Sequence, residues 1–200
     1  MNNTTMGQCI KIIHYKAGNI ASVVNAFNRL GVNAGLAASP EDLRGADKLI
    51  FPGVGHAKPA MEILKQAGMD LAIRDFSGPV LGICLGMQLM AESSLEGPMK
   101  GLGIFPVEVK RFDGREKVPH MGWNALTGLR GPLFKGVHEG SHVYFVHSYY
   151  MPDSPHAIAR CQYGSIFTAS IARDNFFGVQ FHPEKSGKTG AQILKNFLTL

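Results

Sequence analysis

Along the first hundred residues, short apolar runs alternate with segments whose apolar residues recur at helical spacing. Continuous apolar runs predict buried strands, and apolar positions three and four residues apart predict helices. The predicted strands are Ile10–His14, Val32–Ala38, Asp47–Phe51 and Val80–Ile83. The predicted helices are Asn19–Leu30, His56–Phe76 with a break near Gly68, and Leu85–Ser93. This alternation predicts a doubly wound, mostly parallel α/β sheet flanked by helices.

The second half of the chain changes to short apolar runs separated by turns, which predicts antiparallel strands added to the sheet. These strands are Val107–Phe112, Val143–Val146, Ala157–Cys161, Ile166–Arg173 and Phe176–Phe181. A predicted helix over Ala191–Leu198 carries its apolar residues on one face. No repeat, low-complexity tract or linker interrupts the pattern, so we expect a single domain spanning residues 1–200.

Composition limits the class of protein. The chain has 200 residues, of which 45% are hydrophobic and 18% are charged, as in ordinary globular proteins. No apolar run is long enough to cross a bilayer, and residues 1–8 do not resemble a signal peptide, so we expect a cytoplasmic protein without a membrane partner. The formal net charge is +5, but the basic residues are scattered, which argues against nucleic-acid binding.

The number and spacing of the cysteines indicate the redox compartment of the protein. The chain has only Cys9, Cys84 and Cys161, which form neither a disulfide framework nor a metal-binding motif. We therefore expect a reducing compartment and no bound metal, and one cysteine is available for chemistry.

Cys84 lies in Gly82-Ile83-Cys84-Leu85-Gly86, where a predicted strand meets a predicted helix. This is the nucleophile-elbow pattern with cysteine in place of serine. The sharp turn needs small flanking residues, exposes the sulfur at the carboxyl edge of the sheet and sets it at a helix N-terminus, which stabilises a thiolate. The Leu85 N–H would then face an oxyanion on the substrate. The alternative is a structural cysteine between two glycines.

A thiolate nucleophile needs a base, and His182 is the best candidate among the eight histidines. It follows the apolar run Phe177–Phe181 and precedes Pro183-Glu184, so that Glu184 can orient its imidazole. Cys84, His182 and Glu184 thereby supply a nucleophile, a base and an orienting carboxylate. For His182 alone, a capped strand end is the alternative.

Together these motifs resemble those of the class I glutamine amidotransferases, which use a Cys-His-Glu triad. Further segments are similar, more narrowly, to the glutaminase subunits of imidazole glycerol phosphate synthase in histidine biosynthesis. These segments are Pro52–Gly55, Pro119–Asn124, Tyr144–Tyr149 and Phe181–Ser186. The resemblance extends from Ile10 to Leu198.

The resemblance implies a role for each matching residue. Cys84 would attack the side-chain carboxamide of glutamine, His182 would transfer protons, and Glu184 would orient His182. The implied oxyanion-binding residues are Gly53, Val54 and Leu85, and the implied glutamine contacts are Gln88, Glu96, Ser148 and Tyr149. No cofactor and no metal is implied.

The resemblance also implies a partner, a TIM-barrel cyclase subunit that forms a heterodimer with this chain and receives the ammonia. The products would be imidazole glycerol phosphate and aminoimidazole carboxamide ribonucleotide. The implied interface residues are Asn19, Trp123, Tyr144 and Lys185. The chain departs from the family in the segment His14–Asn19, where Lys16 replaces a glycine. This change affects the conformation of a loop rather than the triad.

Three alternatives stay open. A paralogous glutaminase could feed ammonia to a different barrel synthase, and the triad does not distinguish the two. A catalytically silent amidotransferase-like binding module is disfavoured by the intact triad. A cysteine-dependent peptidase or hydrolase of related fold is disfavoured by Gln88 and the segment Pro119–Asn124.

Overall fold

A computed structural model describes residues 7–15 and 20–200 of the chain. The strands are β1 (Ile10–Ile13), β2 (Gly35–Ala37), β3 (Lys48–Gly53), β4 (Val80–Cys84), β5 (Ala91–Ser94), β6 (Met99–Lys100), β7 (Phe105–Arg111), β8 (His120–Ala125), β9 (His142–His147), β10 (Tyr149–Tyr150), β11 (Ala157–Tyr163), β12 (Ser165–Arg173) and β13 (Phe176–Val179). The α-helices are α1 (Ile20–Arg29), α2 (Ala57–Gln66), α3 (Met69–Arg74), α4 (Leu85–Leu89) and α5 (Gly187–Leu198).

The central sheet has the strand order β11-β12-β13-β4-β3-β1-β2. From β13 to β2 the strands run parallel, while β11 and β12 are antiparallel additions. The expectation that Phe176–Phe181 is an antiparallel addition is therefore wrong, because β13 pairs parallel with β4 and antiparallel only with β12. The carboxyl ends of β3 and β4 are neighbours, and Gly53 pairs with Cys84 in their register. Doubly wound sheets bind their ligands at this edge, so the strand order already brings two of the predicted site residues together.

Alternate residues of the parallel strands supply a hydrophobic core on each face of the sheet. Ile12 and Ile50 belong to the cluster that includes α1 and α5. Ile13 and Phe51, their neighbours along the strands, belong to the cluster that includes α2 and α3. A strand buried on both faces shows as an unbroken apolar run, which is why β1, β3 and β4 could be predicted from the sequence. No helix in the described residues is long and apolar enough to cross a membrane.

Two smaller sheets depart from the expectation that the second half simply extends the central sheet. β7, which contains most of the predicted strand Val107–Phe112, lies in a separate sheet of order β10-β7-β5-β6. β9 pairs only with β8, in an antiparallel two-stranded sheet. The sequence does not indicate β8, because Gly122 and polar residues interrupt its alternation. Pairing with β9 makes this segment a strand.

The predicted helix Leu85–Ser93 is wrong in its second half. α4 ends at Leu89, and Ala91–Ser94 forms β5, which pairs parallel with β7. The Met90 carbonyl accepts hydrogen bonds from the N–H groups of Ile104 and Phe105, each at 3.0 Å. Long-range pairing with a segment 14 residues away thus replaces the helical hydrogen bonds that the local periodicity favours.

Candidate active site

Cys84 occupies a strained backbone position between β4 and α4. Its φ of 53° and ψ of −109° are rare for a residue with a side chain, and such strain costs about 1–3 kcal/mol. A Cβ on Gly86 would overlap the Phe51 carbonyl, and one on Gly82 would overlap the Met90 side chain. These close approaches explain the glycine on either side of Cys84, and they support the nucleophile-elbow prediction over a structural cysteine.

His182 lies beyond the carboxyl end of β13, beside Cys84, and its side chain is 3% exposed. Its Nδ1 lies 2.8 Å from Oε1 of Glu184, which is equally buried. Its main-chain N–H donates to the Tyr144 carbonyl at 2.9 Å. The Ser186 hydroxyl donates to the His182 carbonyl at 2.6 Å and accepts from the Tyr144 N–H at 3.0 Å. These contacts hold the His182–Ser186 segment against β9.

The electrostatics of the site favour a protonated His182. Burial by itself lowers the pKa of His182, but the Cys84 sulfur and the Glu184 carboxylate outweigh burial and raise this pKa above its usual value. Nε2 of His182 has no hydrogen-bond partner other than the sulfur it faces. Since Nδ1 is held by Glu184, Nε2 is the atom available for proton transfer at Cys84.

A cavity of about 330 Å³ opens over the sulfur. Its lining includes Cys84 and His182, and also these residues that the sequence analysis selected: Val54, Leu85, Gln88, Glu96, Ser148 and Tyr149. Glu184 does not line this cavity and lies behind His182, as an orienting residue should. The structure therefore places the predicted nucleophile, base and substrate contacts around one space large enough for an amino acid.

Different hydrogen bonds hold the side chains of the predicted glutamine contacts in place. Gln88 is 4% exposed, and its Nε2 donates to the Tyr149 carbonyl at 2.8 Å. The Glu96 carboxylate accepts from the Ala57 N–H at 3.1 Å and lies 3.2 Å from Nδ1 of His56. Glu96 therefore also stabilises the first turn of α2, because a carboxylate there satisfies a free N–H. Such anchoring fixes a negative charge at the cavity wall, as recognition of an ammonium group requires.

The predicted oxyanion residues lie on two elements. Leu85 starts α4, directly after the sulfur, while Gly53 ends β3 and Val54 follows it with 38% exposure. The buried Tyr15 hydroxyl donates to the Pro52 carbonyl at 3.1 Å, which holds the start of this loop. Burial and the charge of Cys84 both raise the pKa of Tyr15 well above its usual range, so the phenol stays protonated as a donor.

Three of the predicted interface residues form one surface cluster. Trp123 and Tyr144 are paired across β8 and β9, with ring centroids 6.2 Å apart. The Lys185 ammonium lies 5.9 Å from the centre of the Tyr144 ring. Trp123 is 56% exposed, which is unusual for a residue of its size, and exposed aromatic groups of this kind mark interaction surfaces. Asn19 and the departure at Lys16 lie outside the described residues.

Sequence reasoning missed Gln180, which the structure places against the nucleophile. Gln180 is fully buried, its Nε2 donates to the Cys84 sulfur at 3.6 Å, and its Oε1 accepts from Gln88. It lies in Val179-Gln180-Phe181, and a glutamine inside an apolar run is the signal that could have indicated it. In the described residues, no three His, Cys, Asp or Glu side chains come together as a metal site requires.

Comparison with known proteins agrees with this geometry. The family described as glutamine amidotransferase class-I matches residues 11–200. The chain belongs to the class-I glutamine amidotransferase family. Within this family, it is 53% identical to the imidazole glycerol phosphate synthase subunit HisH of Bacteroides fragilis, with 96% of this chain and 99% of the relative covered. It is 47% identical to the HisH subunit of Yersinia pseudotuberculosis, with the same coverage.

Solved structures of other proteins have the same fold as this amidotransferase. A glutamine amidotransferase of known structure superimposes with a TM-score of 0.75 at 20% identity, covering 95% of this chain and 97% of that one. PurLQS from Thermotoga maritima superimposes with a TM-score of 0.72 at 16% identity, covering 96% and 98%. At such low identity these similarities establish the shared fold alone. The doubly wound α/β fold predicted from the sequence is thereby confirmed.

Proposed function

We propose that this amidotransferase is the glutaminase subunit of an imidazole glycerol phosphate synthase, and that Cys84, His182 and Glu184 carry out glutamine hydrolysis. The observation that carries the proposal is that Cys84 and His182 line one cavity with Gln88, Glu96 and Tyr149, while Glu184 holds His182 from behind. The high identity to HisH subunits along nearly the whole chain supports the choice of synthase.

The first half-reaction forms a thioester. The Cys84 thiolate adds to the side-chain carboxamide carbon of glutamine, and the N–H of Leu85 and a main-chain N–H of residues 53–55 stabilise the oxyanion. His182 transfers the proton on Nε2 to the amide nitrogen, so the C–N bond breaks and ammonia leaves. Glu184 keeps Nδ1 of His182 protonated and fixes the ring plane throughout.

The second half-reaction releases glutamate. The neutral His182 takes a proton from a water molecule, which attacks the thioester carbon, and the sulfur leaves as a thiolate beside the imidazolium. Direct hydrolysis is thus replaced by two successive additions, each with a lower barrier than attack of water on the amide. Glu96 binds the ammonium group of the substrate, and Gln88, Ser148 and Tyr149 position the rest of it.

The ammonia passes to a partner, a TIM-barrel cyclase subunit that makes imidazole glycerol phosphate and aminoimidazole carboxamide ribonucleotide. The surface cluster of Trp123, Tyr144 and Lys185 supports a contact beside the cavity, and it takes part in the heterodimer together with Asn19. The three free cysteines are consistent with a reducing compartment, and we place the complex in the cytoplasm.

The proposal is tested by reconstitution with the histidine-pathway cyclase. The two subunits are mixed with glutamine and the cyclase's ribonucleotide substrate, and glutamate and imidazole glycerol phosphate are measured together. We expect the two products in equal amounts. Glutamate without imidazole glycerol phosphate would favour a paralogue that serves another barrel synthase. Absence of glutamate would favour a catalytically silent binding module.

A further inference from the structure

Two buried histidines outside the triad hydrogen-bond each other. His120 on β8 and His147 at the end of β9 are 3% and 6% exposed, and Nδ1 of His120 lies 3.0 Å from Nε2 of His147. His147 also lines the cavity over Cys84. No step of the proposed mechanism uses either imidazole.

The neighbours of the pair decide which ring nitrogens carry hydrogen. Nδ1 of His147 lies 2.8 Å from the Tyr149 carbonyl oxygen, which only accepts, so this nitrogen is protonated. Nε2 of a neutral His147 then accepts from Nδ1 of His120. Nε2 of His120 in turn accepts from Nδ2 of Asn124 at 3.4 Å. Each of the four imidazole nitrogens thereby has a hydrogen-bond partner, and a single pair of tautomers accounts for every donor and acceptor.

Both imidazoles are neutral at pH 7. Burial lowers the pKa of His120 to about 4 and that of His147 to about 3. His120 is stacked between aromatic rings, with its centroid 3.9 Å from that of Tyr163 and 4.8 Å from that of Phe145. These apolar neighbours do not solvate the positive charge of an imidazolium. Each ring therefore stays neutral, with one nitrogen as donor and the other as acceptor.

Beyond His147 the hydrogen bonds continue to the nucleophile. The Tyr149 carbonyl also accepts from Nε2 of Gln88 at 2.8 Å. The same nitrogen donates its second hydrogen to Oε1 of Gln180, again at 2.8 Å. Nε2 of Gln180 is thereby directed at the Cys84 sulfur, at 3.6 Å. The chain of donors therefore ends in an N–H that favours a thiolate.

This arrangement determines which atom Gln88 offers to the cavity. Both hydrogens of its Nε2 are used within the protein, so Oε1 is the group left for a ligand. An amide oxygen accepts from the ammonium or carboxamide N–H groups of glutamine. If the Tyr149 carbonyl shifted, the Gln88 amide would lose the contact that sets its orientation.

We propose that His147, supported by His120, is a positioning residue of this site, which holds the Tyr149 carbonyl so that Gln88 presents its oxygen to glutamine. The inference rests on the proposed glutaminase function and goes beyond it in assigning a task to these two buried imidazoles.

Steady-state kinetics of His147→Phe test the proposal in the complete heterodimer. Phenylalanine keeps the ring but lacks both nitrogens, so we expect the KM for glutamine to rise about tenfold, as for loss of one buried hydrogen bond. The kcat should change less than about threefold. His147→Asn retains a donor near the position of Nδ1, and it should restore most of the loss in KM.

Phe112→Leu is the matched control, because Phe112 packs against His147 with ring centroids 5.3 Å apart and makes no hydrogen bond to it. We expect this variant to lower the melting temperature and leave KM within about twofold, since packing alone stabilises the fold. If His147→Phe raised KM no more than Phe112→Leu does, the pair would be a packing element and the proposal would be overturned.

Nitrogen NMR of the ¹⁵N-labelled chain at pH 7 supplies a readout independent of activity. We expect His120 and His147 as neutral rings protonated at Nδ1, assigned by loss of their signals in His120→Asn and His147→Asn. A proton on Nε2 of His147, or an imidazolium, would contradict the proposal. Failure of the proposed function would instead appear in the unsubstituted heterodimer, as absence of glutamine turnover.

Discussion

In the proposed mechanism, each residue of the triad contributes through a different atom. Cys84 would supply the sulfur that bonds to carbon, and His182 the Nε2 that faces it. Glu184 reaches only the imidazole, through Oε1 at 2.8 Å from Nδ1. Loss of the sulfur or of the imidazole therefore removes a reacting atom, while a change at Glu184 alters the orientation and charge of a residue that remains.

Cys84→Ala should abolish glutamine hydrolysis while the cyclase still makes imidazole glycerol phosphate from added ammonium salts. Both rates are measured on the same heterodimer. Cys161→Ala is the matched control, because Cys161 is fully buried in β11, away from the cavity, and burial raises the pKa of its thiol to about 12. The control should lower stability and retain turnover. Glutamine hydrolysis by the Cys84→Ala chain would contradict the triad assignment.

His182→Ala should reduce kcat about as much as Cys84→Ala, because members of a triad act as a unit. Glu184→Gln should reduce kcat by a smaller factor, roughly 10- to 100-fold, since the amide still contacts Nδ1 but no longer stabilises the imidazolium. Steady-state kinetics of the three variants measure the order of their kcat values. An inactive Glu184→Gln chain with an unchanged melting temperature would show that Glu184 does more than orient His182.

The folded chain should become less stable as the pH is lowered, because His147 is neutral in the folded state. Its pKa is lowered to about 3 by burial, while an exposed histidine titrates near 6.5. Between these values the unfolded chain binds a proton that the folded chain excludes, so stability is complete above about pH 6.5 and decreases as the pH falls. From pH 7 to pH 5 the loss due to His147 is roughly 2 kcal/mol.

Urea unfolding of His147→Asn measures this effect. The variant should lose less unfolding free energy between pH 7 and pH 5 than the unsubstituted chain does. His142→Asn, which changes an exposed histidine at the start of the same strand, should behave like the unsubstituted chain. Equal pH dependence in all three proteins would mean that His147 titrates normally.

At the scale of elements, the site depends on how closely α4 approaches β3. Gly86 lies directly against the Phe51 carbonyl, so that α4 begins beside the strand end and the Leu85 N–H lies near the loop that follows β3. Only a residue without a side chain permits this approach. The geometry of the proposed oxyanion site therefore depends on the contact between α4 and β3.

Gly86→Ala should destabilise the chain by roughly 2–4 kcal/mol and abolish turnover, because the new methyl group overlaps main-chain atoms that do not move freely. Gly35→Ala is the control: Gly35 lies on the edge strand β2, where a Cβ would meet only the flexible Lys11 side chain at 3.3 Å. We expect this control to retain activity. Comparable activity of the two variants would mean that α4 tolerates displacement.

At the scale of the whole molecule, the loop of residues 52–55 lies between the cavity and the surface cluster, since Val54 lines the cavity and shares a second pocket with Lys185. Val54 lines the cavity and is partly exposed, and Tyr15 holds the preceding carbonyl of Pro52. A partner bound to the surface cluster would therefore lie next to this loop. We expect the partner of the proposed heterodimer to control the activity, through one main-chain N–H of this loop that turns towards or away from the oxyanion.

The isolated chain should therefore hydrolyse glutamine slowly, and the cyclase with its ribonucleotide ligand should accelerate it. Loss of one oxyanion donor lowers a rate by about 10²–10³-fold, so an acceleration of this order is expected. Glutamate formation is measured for the chain alone, with cyclase, and with cyclase and ligand, since differential contacts shift the loop population. Equal rates in the three mixtures would leave a constitutive glutaminase.

Local patterns were sufficient for the features that depend on neighbouring residues. The elbow around Cys84 needs glycines at fixed positions, and the buried parallel strands need unbroken apolar runs, so both can be recognised along the chain. The same motifs identified the family, and the comparisons confirm it. That Cys84 and His182 lie at the same edge follows only from the structure, because β13, expected as an antiparallel addition, runs parallel to β4.

Only the tertiary structure decided which distant segments complete the site. β5 replaces the end of a predicted helix because β7 pairs with it, and β8 forms because β9 lies beside it. Gln180 contacts Cys84 across 96 positions of the chain, and His120 contacts His147 across 27. No local periodicity encodes such contacts. They arise when packing buries polar groups that must find hydrogen-bond partners, and those partners come from whichever segments the fold brings near.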